Sequence, residues 1–167
     1  MRVFASAGLN VKSSNHAAIA LYERAGMREK YLSRALRFPW LGLGSLPAGD
    51  AVVGELVAER EAVAEREFDL PKGQLAHARR IGRLLCEARS DSELVGVAAF
   101  DPKFPGAFPF RVRRLDAVAP LLTCLRQQVP NDEVVHLVAE GDEALAKRLL
   151  DAGATVRDEI VHFQGTL

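Results

Sequence analysis

Residues Leu9 to Met27, LNVKSSNHAAIALYERAGM, carry the side chains best placed for chemistry: an amide, Asn15, and a phenol, Tyr22. A phenol keeps its proton at neutral pH and can still donate it over a short hydrogen bond. Leu9 and Val11 alternate with Asn10 and Lys12, the pattern of a short strand with one buried face. The polar turn Ser13, Ser14 then leads to Asn15, whose side-chain oxygen suits an N-cap because it can accept from a free N–H of the first helical turn. Ala18, Ile19, Leu21, Tyr22 and Ala25 follow at helical spacing, and Gly26 stands where a C′ residue needs positive φ. Taken by themselves, Asn15 is a helix cap and Tyr22 one residue of an amphipathic face.

The whole stretch resembles the last strand–helix segment of the GNAT superfamily of acyl-CoA N-acyltransferases, which reads L-x-V-x-x-x-N-x-x-A-x-x-L-Y-x-x-x-G-F. Leu9, Val11, Asn15, Ala18, Leu21, Tyr22 and Gly26 match it, with Met27 in place of the Phe. The resemblance implies an α/β fold, a GNAT-like mixed sheet flanked by helices. It implies acetyl-CoA as cosubstrate, with Asn15 and Ala18 beside the coenzyme A arm and Tyr22 as the acid that protonates the departing thiolate. The acceptor would be a small-molecule or peptide amine. A Glu or a water chain would deprotonate it, and a strand N–H would meet the oxyanion.

The elements that must position these residues belong to a chain of 167 residues, enough for one domain or for one domain and part of another. Apolar residues at 49% and charged residues at 26% are normal for a globular protein. Twenty-two basic and twenty-two acidic residues cancel, which disfavours a nucleic-acid or membrane-surface binder. No apolar run approaches the roughly 20 residues of a membrane span and no signal-peptide core is present, so a cytoplasmic location is expected. Cys86 and Cys124 fit no metal or redox spacing and read as reduced thiols, and the four histidines have no ligand spacing, so no metal is expected.

Along the chain, residues 29–38 read as a strand, and the Pro- and Gly-rich stretch from Pro39 to Pro47 as a linker. Periodicity predicts a helix from Asp50 to Arg66 with a solvated charged face, then a second helix from near Pro71. Arg83 to Arg89 and Leu94 to Phe100 read as a hairpin, and Asp101 to Phe110 as an irregular loop or broken strand. A helix over 115–129, a strand over 134–138, a helix over 142–152 and a closing strand over 155–163 complete the order.

The tail echoes the head. Aligning Gly26 with Gly153, a shift of 127 (153 minus 26), brings Val138 onto Val11, Asp142 onto Asn15 and Ala152 onto Ala25. Any two strand–helix–Gly–strand units align this way by chance; if the shift is instead a domain period, residues 1–38 are expected to be the strand–helix–strand end of a first GNAT domain, 39–49 a linker, and 50–167 a degenerate second domain, as at the back of a tandem-GNAT protein that begins inside a domain. In the second copy Leu149 stands where Tyr22 does and cannot donate a proton. The family's diphosphate loop, [QR]-x-x-G-x-[GA], corresponds to Arg111–Asp116 (RVRRLD), which loses both small residues and reads as an exposed basic strand end. The second copy is therefore expected to bind acetyl-CoA weakly or not at all. Two functions follow: acetyl transfer to an amine, in a site incomplete within this chain, or a non-catalytic module that packs against a catalytic GNAT domain or forms a homodimer.

Overall fold

The protein is described by a computed structural model covering residues 6 to 166; the lead-in to the first strand, residues 1–5, lies outside the described residues. Its strands and helices run β1 (Ser6–Lys12), α1 (His16–Arg24), β2 (Arg28–Pro39), β3 (Val52–Glu55), α2 (Glu61–Glu67), α3 (Gln74–Arg80), β4 (Leu84–Ser90) and β5 (Glu93–Asp101). They continue with β6 (Gly106–Val112), α4 (Val118–Arg126), β7 (Val134–Glu140), α5 (Glu143–Asp151) and β8 (Thr155–Thr166). The eight strands make one sheet in the order β1-β8-β2-β7-β6-β5-β4-β3. Neighbours are antiparallel except β6 and β7, which run parallel, pair only at Gly106–His136 and Ala107–Leu137, and then separate.

The two strand–helix–strand arms form as their caps dictate. Asn15 Oδ1 accepts from the Ala18 N–H at 3.1 Å and Asp142 Oδ1 from the Leu145 N–H at 2.9 Å, the same one-turn contact at each helix start. Gly26 (φ +83°) and Gly153 (φ +101°) end the helices in the left-handed region that a side chain disfavours.

The arms interlock: β8 inserts between β1 and β2, and β2 between β8 and β7. The β2–β8 ladder is unchanged when the arms are exchanged with the shift of 127. Arg28–Gln164 becomes Arg37–Thr155, Glu29–Phe163 becomes Leu36–Val156, Tyr31–His162 becomes Ala35–Asp158, and Ser33–Ile160 maps onto itself. Even the two bulges correspond, the extra residue being Lys30 in β2 and Arg157 in β8. The outer strands break the symmetry by one residue. Val11 pairs with Val161, whereas Val138 pairs with Ala35, so the counterpart of Val11 is Ala139 rather than Val138. The cause is local, since two residues, Ser13 and Ser14, separate β1 from its helix cap, while Gly141 alone separates β7 from Asp142.

One sheet face carries α4, α5 and α1. Leu145 and Leu149 of α5 and Leu121, Leu122 and Leu125 of α4 pack with Leu36, Phe38 and Leu137 in the main core. On the same face Ala18, Ile19 and Tyr22 of α1 cover Val11, Leu32, Val161 and Phe163. On the other face α2 and α3 cover only the β4–β5 end, through Leu56, Ala64, Leu75 and Ala78. Tyr31, Ser33, Ala35 and Arg37 alternate onto that second face of β2, where no helix layer lies among the described residues.

Several expectations change. The stretch expected as one helix from Asp50 to Arg66 is instead strand β3, a 3₁₀ turn at Ala58–Arg60 and the short α2. Val52 and Val53 pair with Arg89 and Ala88 at the sheet edge, so a distant backbone partner overrides the helical period. Nor are all its charges solvated. Glu61 is buried against Arg79 (2.5 Å), and the buried Glu65 carboxylate accepts from the Gly73 and Leu75 N–H groups, capping α3, which starts at Gln74 rather than near Pro71. The Pro- and Gly-rich stretch folds as a 3₁₀ helix, Trp40–Ser45, with Trp40 and Leu46 in the main core and Gly42 too close to the Ala152 carbonyl for any Cβ. Of Asp101 to Phe110, residues 106–110 belong to β6, broken by a bulge that sets Phe108 and Pro109 opposite Ala99.

Candidate active site

Asn15, Ala18 and Tyr22 lie on the first arm. Asn15 is exposed, and its side chain is engaged as the cap on the Ala18 N–H. Tyr22 is half-buried, its ring edge-on to Phe163 with centroids 5.7 Å apart, and its hydroxyl has no hydrogen-bond partner among the described residues. No residue of α1 is fully buried, and among the described residues β1 has one strand neighbour, β8. Among the described residues no strand covers the outer flank of β1, next to the helix that carries Tyr22.

The second arm is closed at the corresponding place. Leu149 is fully buried in the main core and has no proton to give. Beyond Ala107 the β6–β7 split would expose the edge of β7, but Arg111 reaches across it. Its Nη1 donates to the Glu140 carbonyl (2.7 Å) and its Nη2 to Glu140 Oε2 (2.6 Å), so the guanidinium takes the place of the missing strand partner. Pro109, in the β6 bulge beside the split, offers no N–H to an oxyanion.

Glu140 also anchors a polar group on the helix-free face. The Tyr31 hydroxyl donates to Glu140 Oε1 (3.1 Å), the Tyr31 ring stacks on His162 (4.2 Å, 26°), and His162 Nε2 lies 2.8 Å from Ser33 Oγ. Burial, then the Glu140 charge, raises the Tyr31 phenol above its ordinary value, so it stays a donor; burial lowers His162 below its own. Sequence spacing misses this cluster because its members come from β2, β6, β7 and β8. Only the alternation that sends Tyr31 and Ser33 to one face hints at it.

The RVRRLD stretch is an exposed basic end only in part, because Arg111 is turned into the split. Arg113 donates to the Glu67 carbonyl (2.9 Å) and lies over the Phe68 ring, and Arg114 holds Asp116 and the Ser90 hydroxyl (3.0 Å). The hydrogen bond from Arg114 holds the Asp116 carboxyl below its usual range. These cations are engaged internally. Cys86 and Cys124, remote in sequence, interact; the Cys86 thiol is pushed up to about 12 by burial first and by Cys124 second. Among the described residues no group of three or more His, Cys, Asp or Glu could hold a metal ion, and no helix is long and apolar enough to cross a membrane.

No protein-family model matches the sequence, and no curated protein matches it. Solved structures do match the fold. A putative acetyltransferase from Pyrococcus horikoshii superposes with a TM-score of 0.66 at 11% identity, over 97% of this chain and 53% of that one. A GCN5-related N-acetyltransferase from Sphaerobacter thermophilus gives 0.58 at 14%, over 98% and 60%. A tandem GNAT protein of the clavulanic acid biosynthesis pathway gives 0.53 at 16%, over 96% and 63%. The fold is GNAT-like, and the chain spans between 45% and 71% of the length of the solved structures compared.

Proposed function

We propose that this chain belongs to an acetyl-CoA-dependent N-acetyltransferase whose working coenzyme site lies on the first arm, with Asn15 and Ala18 beside the coenzyme and Tyr22 as the proton donor to its thiolate. The acceptor is an amine. The second copy, 50–167 on the proposed domain division, is a scaffold that lends β8 to complete the first arm. The observation that carries this reading is the contrast of Tyr22, whose hydroxyl is uncommitted, with Leu149 and the Arg111–Glu140 clamp in the other arm. The parallel β6–β7 pair supplies a template for the strand that would stand on the outer flank of β1.

Asn15→Asp tests the coenzyme contact apart from the cap. Aspartate caps as well as asparagine, so the melting temperature is expected to hold, while its charge beside a diphosphate-bearing ligand weakens acetyl-CoA binding by about three- to tenfold in calorimetry on the full-length protein. Equal affinities would reduce Asn15 to a cap. A second reading, a non-catalytic module that packs against a catalytic GNAT domain, is favoured by the same clamp, because Arg111 occupies the split between β6 and β7.

A further inference from the structure

A cavity of about 480 Å³ opens on the helix-free face, between the β5–β6 turn and the β8 bulge. That volume lies within the roughly 300–1,000 Å³ of small-ligand sites. Ala35 and Val138 line it, and two aromatic side chains, Phe104 at 66% and Phe108 at 38% exposed, stand around it. Burying a Phe side chain gains about 1.5–3 kcal/mol, so two left bare at one cavity mark a surface that something else can cover. Phe104 is held in place rather than loose. Its ring stacks on His136 (5.1 Å, 12°), and Asp101 Oδ1 fixes its turn by accepting from the Lys103 and Phe104 N–H groups at 2.9 and 3.4 Å.

The charge around this aromatic surface is positive. The bulge in β8 brings Arg157 to the cavity, and Arg37 is the ladder partner of His136. Neither guanidinium has a hydrogen-bond or ion-pair partner among the described residues. Arg83 also lines the cavity; its Nη1 donates to the Phe108 carbonyl (2.6 Å), but its Nε–H is buried without an acceptor. The reachable part of Arg83 is therefore the end of its guanidinium rather than the Nε–H. The one carboxylate present, Asp101, is engaged with its own turn. Burial first, then Arg157 and Arg37, holds the His136 imidazole below its ordinary pKa, so it is a neutral ring among cations.

We propose that this cavity binds a small planar carboxylate, its ring against Phe104 and Phe108 and its carboxylate against the guanidinium groups of Arg157 and Arg83. A ring is needed to use the two aromatic faces, and an anion to use the unpaired donors. The site is separate from the coenzyme flank of the first arm, so it stands or falls without the acetyl-transfer reading.

The test is titration of the full chain with benzoate, without coenzyme, followed by NMR of the His136 and arginine side chains. Benzoate is expected to bind saturably and to raise the His136 pKa, because a nearby anion favours the imidazolium. Arg157→Gln, an exposed position that leaves the fold intact, is expected to weaken binding by about tenfold, and Phe104→Ala by a similar factor. Benzyl alcohol and inorganic phosphate, which each lack one half of the recognition, are expected not to saturate. The proposal is overturned if benzoate does not saturate, if benzyl alcohol or phosphate binds as well, or if Arg157→Gln leaves the affinity unchanged.

Discussion

The two arms, β1-α1-β2 and β7-α5-β8, share a cap, a helix length, a terminal glycine and a ladder that maps onto itself, yet they live in different surroundings. Leu137 is 1% exposed and its counterpart Leu9 is 39% exposed. Leu149 is fully buried and its counterpart Tyr22 is not. The difference lies beside the arms. The second has β6 along its flank and its helix in the main core, and the first has no such neighbour among the described residues. Local sequence therefore makes the arm, and the flanking layer decides whether the arm is core or exposed edge.

The largest effect should come from unequal packing. Leu149→Ala removes a side chain from the full core and is expected to cost about 2–5 kcal/mol, whereas Ile19→Ala, half-buried on α1, should cost about 1 kcal/mol. Urea unfolding of the two variants measures this, and equal losses would mean that α1 is as covered as α5.

A smaller contrast concerns the strand ends, where Glu140 corresponds to Lys12. Arg111→Ala strips Glu140 of two charge-assisted bonds in a place about one-fifth exposed, and should cost about 1–3 kcal/mol. Lys12→Ala breaks only the exposed pair with Asp158 and should change stability by about 0.5 kcal/mol or less. Similar losses would remove the argument that Arg111 closes the split.

The smallest effect is pH-dependent. His162, whose counterpart is Ala35, is held below the ordinary histidine value of 6.5 by burial, so the unfolded chain takes up a proton first as pH falls. Its share of stability is complete above 6.5 and is lost as pH drops from there toward the lowered folded value. His162→Gln keeps a partner for Ser33 and should flatten the melting temperature between pH 7 and pH 5; identical profiles would contradict the assignment.

The arms were legible in the sequence because caps and terminal glycines act within a few residues. The one-residue offset of β1 was not, since it turns on whether Ser13 and Ser14 or Gly141 alone bridges strand and cap. β3 was hidden for a different reason: its partner β4 is some thirty residues further on, while the surrounding charges follow a helical period. The Tyr31–Glu140–Arg111 group and the cavity at Phe104 are products of the sheet order, which no spacing along the chain encodes.

The central claim is that the open first arm, not the closed second, does the chemistry, and Tyr22→Phe addresses it most directly. The substitution removes one oxygen and leaves the ring on Phe163, so packing is preserved. With the full-length protein, single-turnover acetyl transfer from acetyl-CoA should slow by about 10²–10⁴-fold, at unchanged acetyl-CoA affinity, the range for loss of a general acid. A rate equal to that of the unaltered protein would contradict the account and return Tyr22 to the role of a half-buried helix residue.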